Sequence, residues 1–142
     1  MLHLILLSIL LHNPIAGQSG ADQILHVWQT RSKDGKIQML KSGNTYYAKM
    51  LYGKDLFEAD GITYKKDVNN PNPALRSRIL NNYTLISGLV YKEGKWTDGK
   101  IYYYKDGNFY DVTIEIQGGV MSMRVYKGVT LFGKTLTWDM LE

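Results

Sequence analysis

A short polar segment, "DVNNPNPALRSR" at residues 67–78, gathers the side chains that are best suited to chemistry. It carries one carboxylate, Asp67, and two guanidinium groups, Arg76 and Arg78. Its two Asn-Pro steps hold the residue before each proline in extended geometry, so we expect a stiff backbone. A guanidinium group is a planar fork of N–H donors that fits carboxylates and phosphates. The segment is therefore a candidate anion-binding site.

The same segment supports two interpretations. In the first, Arg76 or Arg78 binds an anionic head group, and Asp67 and Asn70 belong to the same ligand-binding set. In the second, the segment only stabilises itself, because Asp67 pairs with an arginine and Asn70 caps the turn through its own backbone. In both, residues 73–77 are predicted to form one short helical turn with Asn72 as its N-cap, since proline suits the first position of a helix.

Other catalytic constellations are poorly represented in the sequence. The chain has no cysteine, so a thiol nucleophile, a disulfide and a thiolate metal site are excluded. His26 is the single histidine after residue 21, which excludes a multi-histidine metal site. Glu58, Asp60 and Asp67 are available as paired carboxylates, but nothing marks them as buried. We expect no metal or cofactor and favour a non-enzymatic role, with a hydrolase or transferase that uses Asp67 as a weaker alternative.

The elements that position these residues are predicted to be β-strands, because apolar and polar residues alternate with a period of two. In "DVTIEIQ" at residues 111–117, Val112, Ile114 and Ile116 fall on one face and the polar residues on the other. Gly88 interrupts a second such run and predicts a bulge or a tight bend. Further strands are predicted in these stretches: "TYYAKMLY", "TLISGLVY", "KIYYYK", "VMSMRVY" and "VTLFGKTLTW".

Glycine-containing turns separate these strands, including "KDGK", "KSGN", "KEGK", "KDGN" and "QGG". Short strands that follow one another through tight turns favour an all-β antiparallel meander. We predict an up-and-down β-barrel of about eight strands, since closure removes the exposed edge strands. An immunoglobulin-like sandwich is the alternative, and it is less favoured because the turns are sequential and a buried cysteine pair is missing.

The first 21 residues differ in composition from the rest of the chain. Residues 1–21 contain no Asp, Glu, Lys or Arg, and "LHLILLSILL" is an apolar run of the length typical of a signal peptide. We therefore predict a signal peptide at residues 1–21, a single barrel domain at residues 22–142, and an extracytoplasmic location, either periplasmic or secreted. No stable membrane span is expected after cleavage.

The formal net charge of +4 arises from 17 Lys and Arg against 13 Asp and Glu. The lysines are scattered singly between aromatic residues and turns, whereas nucleic-acid-binding proteins concentrate them in a stripe. Nucleic acid is therefore not an expected partner, and a monomer is favoured. The chain has 11 tyrosines, about half of which must face the interior of a barrel. Tyr47, Tyr102 and Tyr104 are predicted to contribute to a ligand-binding lining, or else to fill the barrel.

The order of several motifs resembles a known family. The motifs are "VWQT", "DVNNPNPALRSR", "WTDGKIYY", "DGNFY", "MRVYKG" and "LFGKTLTW". With this spacing, residues 27–138 resemble the bacterial family called domain of unknown function 2147, whose members are small exported proteins with a lipocalin-like barrel. The resemblance implies a fold and an exported location, and no established activity.

The resemblance also points to Trp28 and Arg124. A Trp on the first strand and an Arg on a late strand look like the pair that closes one end of lipocalin-type barrels, where the guanidinium lies over the indole. A ligand contact of Arg124 inside the barrel is the alternative.

Taken together, the sequence favours a binding module for a small apolar or amphipathic molecule. An envelope interaction protein that uses residues 67–78 to contact another protein or a cell-wall component is the alternative.

Overall fold

The computed structural model describes residues 20–142, apart from the side chain of Leu131. The predicted signal peptide lies outside the described residues except for Gly20 and Ala21. Within the described part of the chain, no helix is both long and apolar enough to cross a bilayer.

Eight antiparallel strands form a closed barrel, and each strand pairs with the next along the chain. The ring closes where β1 pairs with β8, with Trp28 opposite Met140 and Thr30 opposite Trp138. The predicted up-and-down barrel of about eight strands is therefore confirmed. The strands are β1 (Val27–Thr30), β2 (Gly35–Ser42), β3 (Thr45–Gly53), β4 (Thr84–Lys92), β5 (Lys95–Tyr103), β6 (Asn108–Gln117), β7 (Val120–Tyr126) and β8 (Gly133–Met140).

The alternating sequence of β6 produces one dry face and one wet face. Val112 and Ile114 are fully buried, whereas Glu115, which follows Ile114 on the strand, is exposed. The same alternation continues into β7, where Met121 and Met123 are fully buried. Since successive side chains in a strand point to opposite faces, these buried residues define the interior of the barrel.

The predicted irregularity at Gly88 is confirmed. Gly88 has a φ of +73°, a left-handed conformation that favours glycine. The pairing of β3 with β4 shifts register between Tyr46 and Ala48, which lie opposite Leu89 and Ile86. The bulge lets β4 bend, as barrel closure requires.

One end of the barrel is closed by a 3₁₀ turn at Gly20–Ile24, which precedes β1. Ile24 is fully buried, and its carbonyl accepts a hydrogen bond of 2.9 Å from Trp28 Nε1. The carbonyl of Ala21 accepts a bond of 3.0 Å from Trp96 Nε1. Carbonyls of this turn thus accept hydrogen bonds from two buried indoles, and the turn covers this end of the barrel. We call it the plug.

At the opposite end, β3 and β4 are joined by a long connection, residues 54–83. It contains 3₁₀ turns at Lys54–Leu56 and Pro73–Leu75. The second turn begins as predicted, with Asn72 as its N-cap, because the Asn72 side chain accepts a hydrogen bond of 3.1 Å from the Ala74 backbone N–H. It is shorter than the predicted 73–77. Isolated bridges between Phe57 and Tyr64 and between Lys66 and Ile79 fold the connection on itself.

The plug at Gly20–Ile24 generates a first prediction. A chain that starts at Asp22 should be less stable than one that starts at Gly20, because Trp96 Nε1 loses its acceptor at the carbonyl of Ala21. We expect a loss of about 1–2 kcal/mol in the free energy of unfolding. Urea denaturation of both chains, released from a fusion partner without extra residues, measures it. Equal free energies of unfolding would show that the turn contributes nothing to closure.

Candidate functional site

A buried carboxylate organises the long connection between β3 and β4. Asp67 is fully buried, and its Oδ1 accepts a hydrogen bond of 2.6 Å from the Tyr102 hydroxyl. Its Oδ2 accepts bonds from Asn70 Nδ2 at 2.8 Å and from Arg78 Nε at 2.9 Å. The second nitrogen of the fork, Arg78 Nη2, lies 2.9 Å from the same oxygen. We call these four residues the Asp67 centre.

The arginines of the polar segment are engaged in the structure of the segment itself. Arg76 Nε donates a hydrogen bond of 2.8 Å to the carbonyl of Asn70. Arg78 binds Asp67, and its guanidinium carbon lies 5.8 Å from the centre of the Tyr83 ring. The side chain of Arg78 is nevertheless 34% exposed. These contacts correspond to the interpretation in which the segment stabilises itself, and they leave one edge of Arg78 accessible to solvent.

The segment is also fixed to the turn that follows β5. Asn69 Nδ2 donates a hydrogen bond of 2.9 Å to the carbonyl of Lys105 and one of 3.3 Å to that of Tyr104. Gly107 allows this approach, because a Cβ at that position would lie 1.9 Å from the carbonyl oxygen of Asn69. Together with the Tyr102 bond to Asp67, these contacts hold residues 67–78 beside the open end of the barrel.

Two tyrosines next to Asp67 are held in their neutral form. Burial raises the pKa of Tyr83 and of Tyr102 above the ordinary tyrosine range, and for Tyr102 the hydrogen bond to Asp67 raises it further. Their rings meet edge to face, with centroids 6.4 Å apart. The Tyr102 hydroxyl therefore acts as a donor to the carboxylate.

The open end of the barrel contains a cavity of about 580 Å³. Residues at the open ends of the strands and in the adjoining turns form its walls. They are Thr30, Asp34, Gly35, Met50, Gly53, Lys54, Asp55, Leu56, Tyr83, Leu85, Ile101, Tyr102, Tyr103, Tyr104, Lys105, Tyr110, Val125, Lys134, Leu136 and Trp138. Aliphatic and aromatic side chains dominate this lining, and its charged members belong mainly to the loops and the first residues of strands.

Some charged residues around the cavity have a partner of opposite charge, and others do not. Lys105 Nζ lies 3.5 Å from Asp55 Oδ2. Asp34 accepts hydrogen bonds from Thr30 and from Ser32, and these bonds lower its pKa, with a smaller contribution from the charge of Lys54. Within residues 20–142, Lys134 forms no ion pair. A cation without a counter-charge thus lies at the edge of a largely apolar cavity.

Trp138, which also lines the cavity, has a side-chain N–H without a hydrogen-bond acceptor in the described part of the chain. The residue is 4% exposed. A buried donor without an acceptor costs about 1–3 kcal/mol. The other two tryptophans both donate to carbonyls, as described above. Trp138 therefore carries an unpaired donor that is itself buried, although other atoms of the residue line the cavity.

The predicted site residues divide between these two regions. Tyr102 and Tyr104 line the cavity, while Tyr47 lies between the buried Tyr46 and Ala48 and so faces outward from the barrel. The lining does not include the predicted polar residues Asp67, Asn70, Arg76 and Arg78, which lie beside it. Their predicted role in ligand binding stays a prediction.

The structure separates Trp28 from Arg124. Trp28 is fully buried inside the barrel. Arg124 lies between Met123 and Val125, both on the interior face of β7, and so belongs to the outer face. Its Nε donates a hydrogen bond of 3.0 Å to the carbonyl of Thr130. Trp28 thus packs at the closed end, whereas Arg124 fixes the connection between β7 and β8.

The sequence analysis missed Lys134, Leu136 and Trp138 as candidate site residues. Their spacing of two in "KTLTW" places them on one face of β8. That pattern was visible in the sequence, but it does not indicate which end of the barrel stays unfilled. Across residues 20–142, no group of three or more His, Asp or Glu side chains is arranged to hold a metal ion.

The Asp67 centre generates a second prediction. Asp67→Asn should lower the free energy of unfolding by roughly 3 kcal/mol, because the amide NH₂ would replace an oxygen that accepts either from Tyr102 or from Asn70 and Arg78, and Arg78 would lose its counter-charge. Asp98→Asn is the matched control, since Asp98 forms an exposed pair with Lys92 and should cost less than about 1 kcal/mol. Urea denaturation measures both. A similar small loss in the two variants would contradict a structural role for Asp67.

The raised pKa values generate a third prediction. Below about pH 10 both Tyr83 and Tyr102 are protonated in the folded and the unfolded chain, so they contribute no pH dependence. Above that pH only the unfolded chain releases their protons, so stability should fall as pH rises. Tyr83→Phe should reduce the slope by up to about 1.4 kcal/mol per pH unit. Urea denaturation from about pH 8 to about pH 12 measures the slope, and an unchanged slope would be inconsistent with a neutral, buried Tyr83.

Comparisons with known proteins agree with this architecture. No curated protein matches the chain. A solved structure of a protein from Helicobacter pylori, described as belonging to the lipocalin family, is similar with a TM-score of 0.70 and 25% sequence identity. The similarity covers 84% of this chain and 83% of that chain. The model of a family described as "Uncharacterized protein conserved in bacteria (DUF2147)" matches residues 27–140, and the chain therefore belongs to this family, as its motifs predicted.

Proposed function

We propose that this protein is a non-enzymatic binding module that holds a small apolar or amphipathic molecule in the open end of its barrel. The observation that supports this most directly is the cavity of about 580 Å³. Ligand sites are typically clefts of about 300–1,000 Å³ with mostly apolar walls and a few polar groups. An eight-stranded barrel has room for its own side chains or for one small ligand.

The contrast between the two ends of the barrel supports the same function. At the closed end, Trp28, Trp96 and Met121 are almost fully buried and pack beneath the plug. At the open end, Leu136 and Val125 are only half-buried, although they face the interior. Apolar side chains that stay partly wet can be covered by an apolar ligand, which gains about 25 cal/mol for each Å² of apolar surface removed from water.

The Asp67 centre fits a supporting role better than a catalytic one. Both oxygens of Asp67 already accept hydrogen bonds, from Tyr102 on one side and from Asn70 and Arg78 on the other. A carboxylate that is fully buried and already bonded to three side chains is poorly placed to reach a substrate proton. The centre instead fixes the long connection, so that the mouth keeps its shape.

The proposal includes an extracytoplasmic location, because an uncharged, apolar leader precedes the barrel in the sequence. The hydrogen bond from Trp96 to the carbonyl of Ala21 favours cleavage before Ala21, since a cut after Ala21 would remove that acceptor. This differs from the domain boundary between residues 21 and 22 that the composition suggested.

A fourth prediction tests the cavity itself. Val125→Trp should fill part of the cavity and weaken binding of 1-anilinonaphthalene-8-sulfonate roughly tenfold, because the added indole occupies the space of the probe. Ile62→Trp is the control, since Ile62 is 81% exposed on the long connection and does not line the cavity. A fluorescence titration measures both affinities. Equal affinity in the two variants, or no binding to the unchanged protein, would argue against an interior site.

A further inference from the structure

The connection between β7 and β8, residues 127–132, differs in composition from the tight turns of the barrel. The turns after β2, β4 and β6 consist of glycine and polar residues, whereas this connection has the sequence "KGVTLF". Val129 is 56% exposed and Phe132 is 80% exposed. The Phe132 backbone N–H donates a hydrogen bond of 3.2 Å to the carbonyl of Val129, so both belong to one turn. Single exposed apolar residues are normal, whereas a group of them indicates a contact surface. We call residues 127–132 the apolar turn.

The backbone of the apolar turn is fixed to the barrel from two sides. Arg124 Nε of β7 donates a hydrogen bond of 3.0 Å to the carbonyl of Thr130. The backbone N–H of Gly128 donates one of 3.0 Å to Asp111 Oδ2 of β6. These bonds satisfy polar groups of the turn and leave the Phe132 ring in water. The turn therefore holds an apolar side chain outward in the folded protein.

Positive charge surrounds the apolar turn. Residues 116–138 contain three basic residues and no acidic one. Lys127 and Lys134, at the two ends of the turn, are exposed and form no ion pair within residues 20–142. The carboxylate that contacts the turn, Asp111, is already paired with Lys100. The turn thus combines apolar side chains with cations that lack a counter-charge.

The opposite side of the open end has the opposite charge. The hairpin at residues 57–64 of the long connection packs against β3, where the rings of Phe57 and Tyr52 have centroids 6.1 Å apart. Its tip, residues 58–62, carries Glu58 and Asp60 and no Lys or Arg. In the closed ring, β3 lies four strands from β7 and thus across the barrel. An anionic surface would therefore attract the β7–β8 side and repel the hairpin.

We propose that the apolar turn docks the protein on an anionic lipid bilayer, with Phe132 and Val129 below the lipid head groups and the flanking lysines beside the lipid phosphates. Such a bilayer offers negative charge at its surface and an apolar layer directly beneath it. A rigid protein partner would instead need a pocket matched to the turn. Because Val125 and Lys134 on either side of the turn line the cavity, docking places the mouth of the barrel beside the membrane. The inference goes beyond the proposed function and does not require a bound ligand.

The first test measures binding to vesicles by flotation, with residues 20–142, which contain the whole closed barrel and lack the apolar leader. Vesicles of equal parts phosphatidylglycerol and phosphatidylcholine should bind the protein more tightly than phosphatidylcholine alone, and salt should weaken the binding. Phe132→Ser should lower the affinity for the anionic vesicles roughly tenfold, because less apolar surface leaves water. Lys127→Gln should lower it roughly fivefold.

Ile62→Ser and Lys92→Gln are the matched controls. Ile62 is 81% exposed, as Phe132 is, but it lies on the acidic hairpin. Lys92 is 64% exposed and lies at the closed end of the barrel. Both variants should bind the vesicles like the unchanged protein. Phe132→Ser should also bind 1-anilinonaphthalene-8-sulfonate with unchanged affinity, because Phe132 does not line the cavity.

The second test reports whether the turn enters the bilayer. Phe132→Trp places an indole in the apolar turn, whereas the three native tryptophans are buried. With vesicles whose acyl chains carry bromine, the emission of this variant should shift to shorter wavelength and be quenched. Ile62→Trp, on the acidic hairpin, should show no more quenching than the unchanged protein. Equal quenching of both variants would contradict docking through the apolar turn.

The outcomes separate this inference from the proposed function. Equal vesicle affinities of Phe132→Ser and Ile62→Ser would overturn the docking surface. If the vesicles do not bind while 1-anilinonaphthalene-8-sulfonate does, membrane docking is wrong and the binding function holds. If the vesicles do not bind and Phe132→Ser converts a dimer into a monomer in analytical ultracentrifugation, the turn is an interface between two copies instead. Vesicle binding without binding of the fluorescent probe supports docking and refutes the interior site.

Discussion

A closed barrel of eight strands encloses a fixed volume, and the large side chains of this protein fill that volume at one end only. Ile24, Trp28 and Trp96 pack at the closed end, where the indoles bond to the carbonyls of the preceding 3₁₀ turn. At the other end, Lys134 and Leu136 of β8 line the cavity. Because protein interiors are normally close-packed, a cavity of about 580 Å³ at that end is the feature that the functional account depends on.

The long connection keeps the cavity accessible. A buried carboxylate, Asp67, fixes this connection of thirty residues beside the mouth of the barrel. Asp67 collects hydrogen bonds from Tyr102, Asn70 and Arg78, and Asn69 binds the turn after β5. The bonds from Tyr102 to Asp67 and from Asn69 to the turn after β5 join the connection to the barrel, whereas those from Asn70 and Arg78 hold the connection together internally. The arginines that suggested an anion site in the sequence thus have a clear structural task.

The sequence predicted the barrel well because strand alternation and tight glycine turns are local signals. The bulge at Gly88 and the N-cap at Asn72 were visible for the same reason, since each depends on the conformation of one or two residues. The cavity was not predictable in this way. The hydrogen bonding of Trp138 and the ion pairing of Lys134 depend on the register of all eight strands around the barrel. No local sequence pattern specifies that register. The interpretation of Trp28 and Arg124 as a closing pair stays a prediction, and in the structure Trp28 donates to the carbonyl of Ile24 while Arg124 donates to that of Thr130.

The most direct test of a ligand-binding interior is a crystal structure of the protein with 12-bromododecanoate, in which anomalous scattering locates the bromine atom. The account predicts one bromine site inside the barrel, within the cavity at its open end. Bromine sites on the outer surface alone, with the barrel interior empty or filled by rearranged side chains, would contradict it.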